Sequence, residues 1–554
     1  APALFLIAGV LVVLRFFPYI ASAAAWITTR FSPAWFALAF WRIARTPFHS
    51  AWVLLLLAFV SGTAIITGSL ASTLEQNQED RILYRTGSDL RVIAPENGIP
   101  NARELTSQLL KIDGVEAATL VIRENARVGS TGGGVNFELF AIDPSAYADI
   151  SWFREDFASQ TLEQLMEAID VEFGDPVVVP AGTQRLGMWI KPEIDIPEGF
   201  IWLIVRGGNG LTSRVSLGLV DGTDWQFLSN DIAGLDLPGE IVGIQLAENL
   251  GGDRAIPNTL LFDDIEAEIS SPVAGISIGI LEDFESDRLW SGLPTSQGFD
   301  ATVSMVPEFL ASGEDIVGSA RGSQVARLQL GSGSDAGVRG MVPYSGPLPT
   351  IVSNSFLSET GLKIGDQYVG GFSSIQVPFF IAGTASFIST LNPLEQGFVV
   401  TDIQGVRNYA DQKGAYSLKE TEAIIQLNLN RISNAIPQLR RLFRNAQFIQ
   451  RAELRSSAVV DPLVAAGWKG VALLAAVITV LAAFIGYAGA QAAHARRTGS
   501  ESGFILALGL SRGHFLRMLI VEHLTIAIGG VVLGIFGGTV LSSVVVHAVS
   551  HTEE

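Results

Sequence analysis

The stretch "SESGFILALGLSRGHF" (residues 500–515) separates two long apolar runs. The run before it, "GVALLAAVITVLAAFIGYAGAQAAHA" (470–495), contains no Asp, Glu, Lys or Arg, and neither does the run after it, "HLTIAIGGVVLGIFGGTVLSSVVVHAVSHT" (523–552). A helix that crosses a bilayer needs about 20 predominantly apolar residues. The pattern therefore predicts two membrane spans joined by a short polar link.

Two further runs near the start of the chain meet the same requirement. "TPFHSAWVLLLLAFVSGTAIITGSLASTL" (46–74) contains no Asp, Glu, Lys or Arg, and "APALFLIAGVLVVLRFFPYIASAAAWI" (1–27) is interrupted by Arg15. The first run lacks the basic start of a secretory signal peptide. We therefore expect about four transmembrane spans in an α-helical bundle, at 1–30, 48–74, 462–493 and 517–550.

Charge is distributed unevenly along the 554 residues. Positions 73–461 hold 51 Asp or Glu and 27 Lys or Arg, whereas the rest of the chain holds 4 and 9. Basic residues favour the cytoplasmic side of short links, so an amphipathic elbow at 31–47 and the link at 494–516 are expected in the cytoplasm. The large acidic block is then expected outside, and its charge argues against nucleic acid as a partner.

The outer block contains two kinds of sequence pattern. Residues 75–170 and 346–434 mix strand and helix patterns, whereas residues 171–345 show short alternating strands between Gly, Pro and Asp turns. The second pattern is typical of a β-sandwich of the jelly-roll kind. The sequence predicts an extracytoplasmic α+β domain with an inserted β-sandwich region, and it leaves open whether that region is one sandwich or two. Within 75–170, the pattern predicts strands at 88–94, 115–128 and 135–142 and helices at 101–111 and 159–169.

Segments at both ends of the outer block, 73–84 and 435–461, are expected to form stalk helices that continue the spans outward. The first is acidic and the second basic, through Glu75, Glu79, Asp80, Arg451 and Arg455. One interpretation is side-by-side packing with complementary charge. The other is two separately solvated charged surfaces, since exposed ion pairs contribute only about 0 to 1 kcal/mol each.

The residue types that carry most catalysis are missing from the outer block. The chain has no cysteine, and its six histidines all lie in or beside the apolar runs, which argues against zinc, Ser-His-Asp or Cys-His chemistry there. No Lys is followed by Ser or Thr, so the chain contains no P-loop motif. The chain is not expected to be an enzyme, and ATP hydrolysis with its Mg²⁺ is expected on a partner subunit.

Carboxylates cluster at two places in the inserted region, "FDDIEAEI" (262–269) and "GILEDFESD" (279–287). Strands that expose alternate residues to water explain these runs most simply. A structural Ca²⁺ is the alternative, since clustered carboxylates suit hard cations, and a glycosidase-like acid pair is a third interpretation. The candidate calcium ligands are Asp263, Asp264, Glu282 and Asp283.

Three glycines, Gly530, Gly534 and Gly538, recur at four-residue spacing in the last apolar run. Such a ridge lets another helix approach closely, as in small-xxx-small packing. A flexible or lipid-facing glycine stripe is the alternative interpretation.

The order of a span, a large outer domain and two spans joined by a short link resembles the FtsX/MacB-like family of ABC-transporter permeases. In that family the link has a basic pair, an E-I-x-x-L-R-A-L-G motif and a short polar step before a helix with an early Glu. The corresponding residues here are Arg496, Arg497, Glu501, Ala507, Leu508, Gly509, Ser511, Arg512 and Glu522. "LAFWRIARTPFHS" (38–50) is similar to the amphipathic elbow that precedes the first span of such a unit.

The resemblance implies a multi-pass permease subunit in a prokaryotic plasma membrane, with its large domain outside. Its expected partners are a cytoplasmic ABC ATPase, a second permease unit or protomer and the lipid bilayer, and its expected substrate is a glycan or a lipid. Residues 501–512 would form the ATPase-coupling link, with Phe504 and Leu508 presenting an apolar face. The span order and the start without Met suggest the second permease unit of a longer chain, with the β-sandwich as an insertion.

Two main functions remain open at this point. The resemblance implies that ATP-driven motion of the partner is passed to the outer domain, for export, extraction or signalling. The middle parts of the apolar runs at 46–74 and 470–495 contain no ionisable residue, which fits such mechanical coupling. The alternative is a membrane-anchored glycan-binding module whose spans serve only as a tether, and an outer-surface hydrolase is a weaker third.

Overall fold

A computed structural model describes most of residues 15–492 and 503–550. The chain divides into two compact units, Ala1–Arg81 with Arg455–Glu554 and Ile82–Leu454, which we call the helical unit and the outer unit. The following residues lie outside the description: 1–14, 16–18, 21, 46, 96–97, 100–101, 130–132, 233, 249–255, 272–274, 287, 295–300, 308–321, 332–337, 344–345, 374, 413–417, 429, 461–469, 471–473, 475–476, 483, 490–491, 493–502, 505, 508–509 and 551–554.

The helical unit contains an elbow helix (Ala34–Arg45) and two long helices. The first long helix is Pro47–Thr86, whose last five residues belong to the outer unit, and the last long helix is Arg512–Ser550. Proline suits the first position of a helix, because the N–H that it lacks would have no intrahelical acceptor there. Over Val53–Thr86 and Arg512–Ser543 these two helices are long and apolar enough to cross a membrane.

The other two predicted spans fall largely outside the described residues. Of the first, the described residues from 22 to 31 are helical, and in the third the structure has a shorter apolar helix, Val477–Gly489. The total of four spans therefore stays a prediction.

The described residues of the outer unit form 21 strands, β1 to β21. In chain order they are β1 (Leu90–Ile93), β2 (Val115–Val128), β3 (Val135–Ile142), β4 (Val177–Val179), β5 (Thr183–Pro192), β6 (Phe200–Arg206), β7 (Thr212–Leu219), β8 (Gln226–Asp231), β9 (Gly239–Ala247), β10 (Asn258–Ser271), β11 (Gly275–Glu282), β12 (Ser291–Gly292), β13 (Ala301–Pro307), β14 (Gln324–Leu330), β15 (Val338–Val342), β16 (Leu348–Ser353), β17 (Gln367–Phe372), β18 (Ile375–Ala385), β19 (Phe398–Asp402), β20 (Glu422–Leu427) and β21 (Gln447–Gln450).

Nine of these strands form one mixed sheet. Its order is β17-β18-β16-β19-β3-β2-β20-β1-β21. Strands β1 to β3 precede the inserted region and β16 to β21 follow it, so the sheet is completed by chain from both sides of the insertion. The predicted strands 115–128 and 135–142 are confirmed as β2 and β3.

Short helices accompany this sheet, and side chains cap several of them. Asp143 and Asp402 follow the parallel neighbours β3 and β19 and cap the helices that begin there. Oxygen side chains at this position satisfy backbone N–H groups of the first turn. The helices are Ala102–Leu109, Pro144–Ile150, Leu162–Glu167, Asn354–Thr360, Ile403–Asp411, Ile432–Leu442 and Arg451–Val460.

The other twelve strands form two six-stranded sheets between Val177 and Val342. One has the order β13-β14-β10-β5-β8 with β11 beside β10, and the other β12-β15-β9-β6-β7 with β4 beside β9. Buried side chains of both sheets, such as Leu328 and Leu203, belong to one hydrophobic core. This is the layer arrangement of a single β-sandwich. Its first and last strands, β4 and β15, both pair with β9.

The expectation of one stalk helix over 435–461 is wrong. Helix Ile432–Leu442 is followed by Asn445 with a φ of 62° and then by β21, which pairs with β1 before the next helix begins at Arg451. Asparagine tolerates this left-handed conformation better than most residues. The other predicted stalk segment, 73–84, is helical as part of the first long helix.

Candidate coupling site between the elbow helix and the last long helix

One side of the elbow helix packs against the two long helices of the helical unit. Ala39 and Ile43 lie one turn apart and are buried. Ile43 shares a small hydrophobic cluster with Val53 and Leu54 of the first long helix and Ile526 of the last. The elbow helix is therefore held by apolar contacts to both long helices.

An ion pair adds a specific link to this contact. Arg42 Nε lies 3.6 Å from Glu522 Oε2, and only 5% of the Glu522 side chain is exposed. A buried carboxylate without a cationic partner is strongly destabilising. Arg42 thus fixes the elbow helix in register with the third turn of the last long helix.

The beginning of the last long helix is capped and touches the elbow helix again. Ser511 Oγ accepts a hydrogen bond from the His514 backbone N–H at 3.3 Å and lies 2.7 Å from His514 Nδ1. The His514 ring stacks on Trp35, with 6.3 Å between centroids and 28° between planes. The last long helix is therefore joined to the elbow helix at two points, Trp35–His514 and Arg42–Glu522.

The remaining residues of the predicted link divide into two groups. Phe504 is 68% exposed, and Ala507, Ser511 and Arg512 are also exposed. An exposed phenylalanine beside a capped helix start is a suitable contact for a protein partner. Outside the described residues lie Glu501, Leu508 and Gly509.

The glycine ridge of the last long helix lies against the first long helix. A β-carbon built on Gly530 would come 3.1 Å from the Leu54 carbonyl oxygen, and one built on Gly538 would come 2.9 Å from that of Gly62. Gly534 is closest of all, against the backbone of Ala58. Successive ridge glycines thus meet positions one turn apart on the partner helix, which is the packing that small residues permit.

Comparison with known families bears on this same helix. Residues 473–553 match the family model of the FtsX-like permease C-terminal domain. The chain carries an FtsX-like permease domain. The resemblance to FtsX/MacB-like ABC permeases is thereby confirmed over the link and the last long helix, and no curated protein matches the chain.

The FtsX-like permease domain has known general properties. It is a non-catalytic, membrane-embedded part of an ABC transporter permease, and permeases of this kind work with a cytoplasmic ABC ATPase. The elbow helix, the capped helix start and the glycine ridge all contact or lie within the matched residues. We call the elbow helix together with residues 503–522 the coupling site.

The charged residues of the two predicted stalk segments pair differently from one another. Arg455 Nε lies 3.6 Å from Glu79 Oε2, with 66% of the Arg455 side chain exposed. Arg451 instead bonds to Asp89, through Nη1 to Oδ1 at 3.1 Å and through its backbone N–H to the Asp89 carbonyl oxygen at 2.9 Å. Glu75 is exposed and Asp80 half-buried.

The candidate calcium ligands are not brought together as a cation site. Among the described residues, no group of three or more His, Cys, Asp or Glu could hold a metal ion. Asp264 is the extra residue of a β-bulge with a φ of 31°, and Arg288 Nε lies 2.7 Å from Glu282 Oε2. Asp283 is exposed. The expectation that alternate carboxylates of 262–269 face water is wrong, because the consecutive Asp263 and Asp264 are both buried, as is Glu266.

Sequence reasoning missed the Arg42–Glu522 pair and the Trp35–His514 stack. Glu522 was recognisable as the early Glu of the last helix, and Arg42 as one of the basic residues of the elbow. A lone carboxylate in an apolar run requires a cation nearby, and this is the signal that could have joined the two.

Proposed function

We propose that this permease couples ATP hydrolysis on a partner ABC ATPase to a conformational change of its outer unit, for export, extraction or signalling. The observation that carries the proposal is the buried Arg42–Glu522 pair, which joins the elbow helix to the helix of the FtsX-like domain. Because this contact joins the elbow helix to the last long helix, a displacement of one of them by the ATPase would also move the other.

The orientation follows from charge. Seven arginines lie in or directly beside the elbow and the link: Arg30, Arg42, Arg45, Arg496, Arg497, Arg512 and Arg517. By the positive-inside rule this end of the long helices faces the cytoplasm, and the outer unit faces outward from a prokaryotic plasma membrane. The ATPase then approaches the side on which Phe504 is exposed.

The physical mechanism is a bias between two helix packings. An ATPase that binds the coupling site differently in its ATP and ADP states favours one arrangement of the helices over the other. Close backbone contact at Gly530 and Gly538 supports discrete arrangements, because tightly packed interfaces do not deform continuously. The middle parts of the apolar runs at 46–74 and 470–495 contain no ionisable residue. This favours transmission of motion over an ion path.

The test reverses the charges of the pair in the full-length chain, co-expressed and purified with its ATPase. Arg42→Glu and Glu522→Arg singly should lower ATPase stimulation by about tenfold, since each leaves a buried like-charge contact. The double reversal should recover part of it. Arg30→Glu is the matched control, because Arg30 is exposed and lies outside the coupling site.

A second variant addresses the surface that meets the ATPase. Phe504→Glu should weaken ATPase binding without changing thermal stability, since Phe504 is exposed and a charge on an exposed position costs little folding energy. Leu508→Glu should also weaken ATPase binding if residues 501–512 form the coupling link. Unchanged binding and stimulation in both variants would show that another segment is the coupling link. If the full-length chain binds no P-loop ATPase at all, the tethered glycan-binding module becomes the better reading.

A further inference from the structure

A buried ion cluster lies in the nine-stranded sheet of the outer unit. Glu422 on β20 is 2% exposed and lies between Arg91 on β1 and Arg123 on β2. Arg91 donates from Nε and Nη2 to the two Glu422 oxygens at 2.9 and 2.7 Å, and Arg123 donates from Nε at 2.7 Å. One carboxylate thus binds two guanidinium groups across three adjacent strands.

A second carboxylate balances the charge of this group. Arg123 also donates to Glu138 on β3, and its guanidinium lies 4.8 Å from the centre of the Phe140 ring. The set Arg91, Arg123, Glu138 and Glu422, which we call the anchor cluster, carries two positive and two negative charges. Complete pairing allows it to remain buried, and the forked arginine contacts fix its geometry.

The anchor cluster reaches beyond the sheet to the end of the first long helix. Arg123 Nη2 donates to Thr390 Oγ1 at 2.8 Å, and the Thr390 backbone N–H donates to the Tyr84 carbonyl oxygen at 2.7 Å. Arg91 Nη1 donates to the Arg85 carbonyl oxygen at 3.5 Å. The last helical turn is therefore bonded to the cluster directly and through Thr390.

Further contacts hold the same turn. The Tyr84 hydroxyl donates to the Leu391 carbonyl oxygen, and the Tyr84 ring meets Phe157 edge-on with 5.7 Å between centroids. Gly87 leaves the helix with a φ of 73°, and a β-carbon there would lie 3.1 Å from Thr390 Cγ2. Only glycine combines that conformation with such a close neighbour.

We propose that the anchor cluster is the force-transmitting joint of the outer unit, with Tyr84 and Thr390 as its positioning residues. It binds the end of the first long helix to β1, β2 and β20, so that a displacement of residues 82–86 moves the sheet. A flexible linker at this place would absorb the displacement. The inference rests on the proposed function, in which motion originates at the coupling site.

The test removes the two hydroxyl contacts that support the helix end and leaves the ion pairs and the backbone hydrogen bonds in place. Tyr84→Phe with Thr390→Val deletes the hydroxyls that contact Leu391 and Arg123. The matched control is Tyr409→Phe with Thr401→Val, because Tyr409 donates to the Gly346 carbonyl oxygen and Thr401 to that of Pro349 within the same unit. Amide exchange of the full-length chain with its ATPase is measured without nucleotide and with ATP and vanadate.

The joint predicts three results together. Exchange at 82–88 and 386–391 becomes about tenfold faster in the test variant and not in the control, since each of these two segments loses a hydroxyl hydrogen bond. The ATP-dependent change in exchange at β1, β2 and β20 becomes smaller in the test variant and not in the control. Its ATPase rate stays at the wild-type value, because the coupling site is intact.

Two outcomes separate failure of this inference from failure of the proposed function. If the wild type changes at β1, β2 and β20 with ATP and the test variant changes equally, the joint is wrong and the proposed function stands. If the wild type shows no ATP-dependent change anywhere in the outer unit, the proposed function is wrong and the joint is wrong with it.

Discussion

Gly538 of the last long helix lies against Gly62 of the first. A β-carbon on Gly538 would come 2.9 Å from the Gly62 carbonyl oxygen and 3.0 Å from Ile65 Cβ. The obstacle is backbone rather than the tip of a flexible side chain, so it cannot be relieved by a rotamer change. The two helices are therefore as close at this point as their backbones allow.

Substitution of the ridge should destabilise the helical unit. Gly538→Ala is expected to lower the free energy of unfolding by about 1 to 3 kcal/mol, the usual cost of overpacking. Denaturation of the detergent-solubilised chain measures it. Gly537→Ala is the control, since a β-carbon at Gly537 meets nothing within 4 Å. Equal effects of the two substitutions would contradict the packing described for the ridge.

The two arginines of the stalk region should differ in strength of pairing. A double-mutant cycle on Glu79 and Arg455 is expected to give a coupling energy below about 1 kcal/mol, because Arg455 is largely exposed and its charge is screened. The cycle on Asp89 and Arg451 should give more, since 17% of the Asp89 side chain is exposed against 26% for Glu79. Higher salt should weaken the first pair more than the second; a stronger Glu79–Arg455 coupling would reverse this assignment.

Glu422 should make the outer unit sensitive to acid. Burial alone would raise the pKa of Glu422, but Arg123 and Arg91 outweigh it and the pKa is lowered. A lowered pKa stabilises the folded state above the unfolded value of about 4.5, and this contribution is lost as the pH falls through the folded value. Glu422→Gln should cost about 3 to 5 kcal/mol near pH 7.

Denaturation between pH 3 and 7 provides the measurement for Glu422. The difference between wild type and Glu422→Gln should shrink as the pH falls, because the protonated carboxyl then resembles the amide. A difference that does not change with pH would mean that the ion pairs contribute nothing to acid sensitivity.

Asp402 should act in the opposite direction. Burial raises the pKa of Asp402 to about 6, against the hydrogen bonds from the Gly405 and Gln404 backbone and with the help of Asp143 and Asp170. A raised pKa favours folding below the unfolded value of about 4, and that contribution is lost as the pH rises through 6. The loss is on the order of 3 kcal/mol.

Two variants separate the charge of Asp402 from its capping role. Asp402→Asn should remove the loss between pH 4 and 6, since Asn caps helices as well as Asp does. Asp402→Ala should remove it too but be about 1 kcal/mol less stable than Asp402→Asn at every pH, because it lacks the cap. Thermal unfolding over pH 4 to 8 tests both, and an unchanged pH profile in Asp402→Asn would contradict the assignment.

Local hydrophobicity patterns predicted the helices and strands whose formation depends mainly on neighbouring residues in the chain. Apolar runs predicted the two long helices, and alternation between turns predicted β2, β3 and the strands of the insertion. The helix expected over 435–461 failed because β21 has only four residues and is stabilised by β1, which lies more than 350 positions earlier. No local pattern can contain such a pairing.

Contacts between residues that are far apart along the chain could not be predicted from the sequence either. Arg123 and Glu422 look like ordinary polar positions in β-strands, and only the sheet order makes them neighbours of Arg91. Asp264 was read as one of an alternating set, but the bulge at that position shifts the alternation and buries it. Burial of charge depends on the assembled sheet, which the sequence read alone does not display.

The pairing of β4 and β15 with the same strand, β9, has an evolutionary consequence. Chain enters and leaves the sandwich beside the same strand, and none of the twelve sandwich strands belongs to the nine-stranded sheet. Such a segment can be gained, lost or exchanged as a cassette while the surrounding domain keeps its architecture.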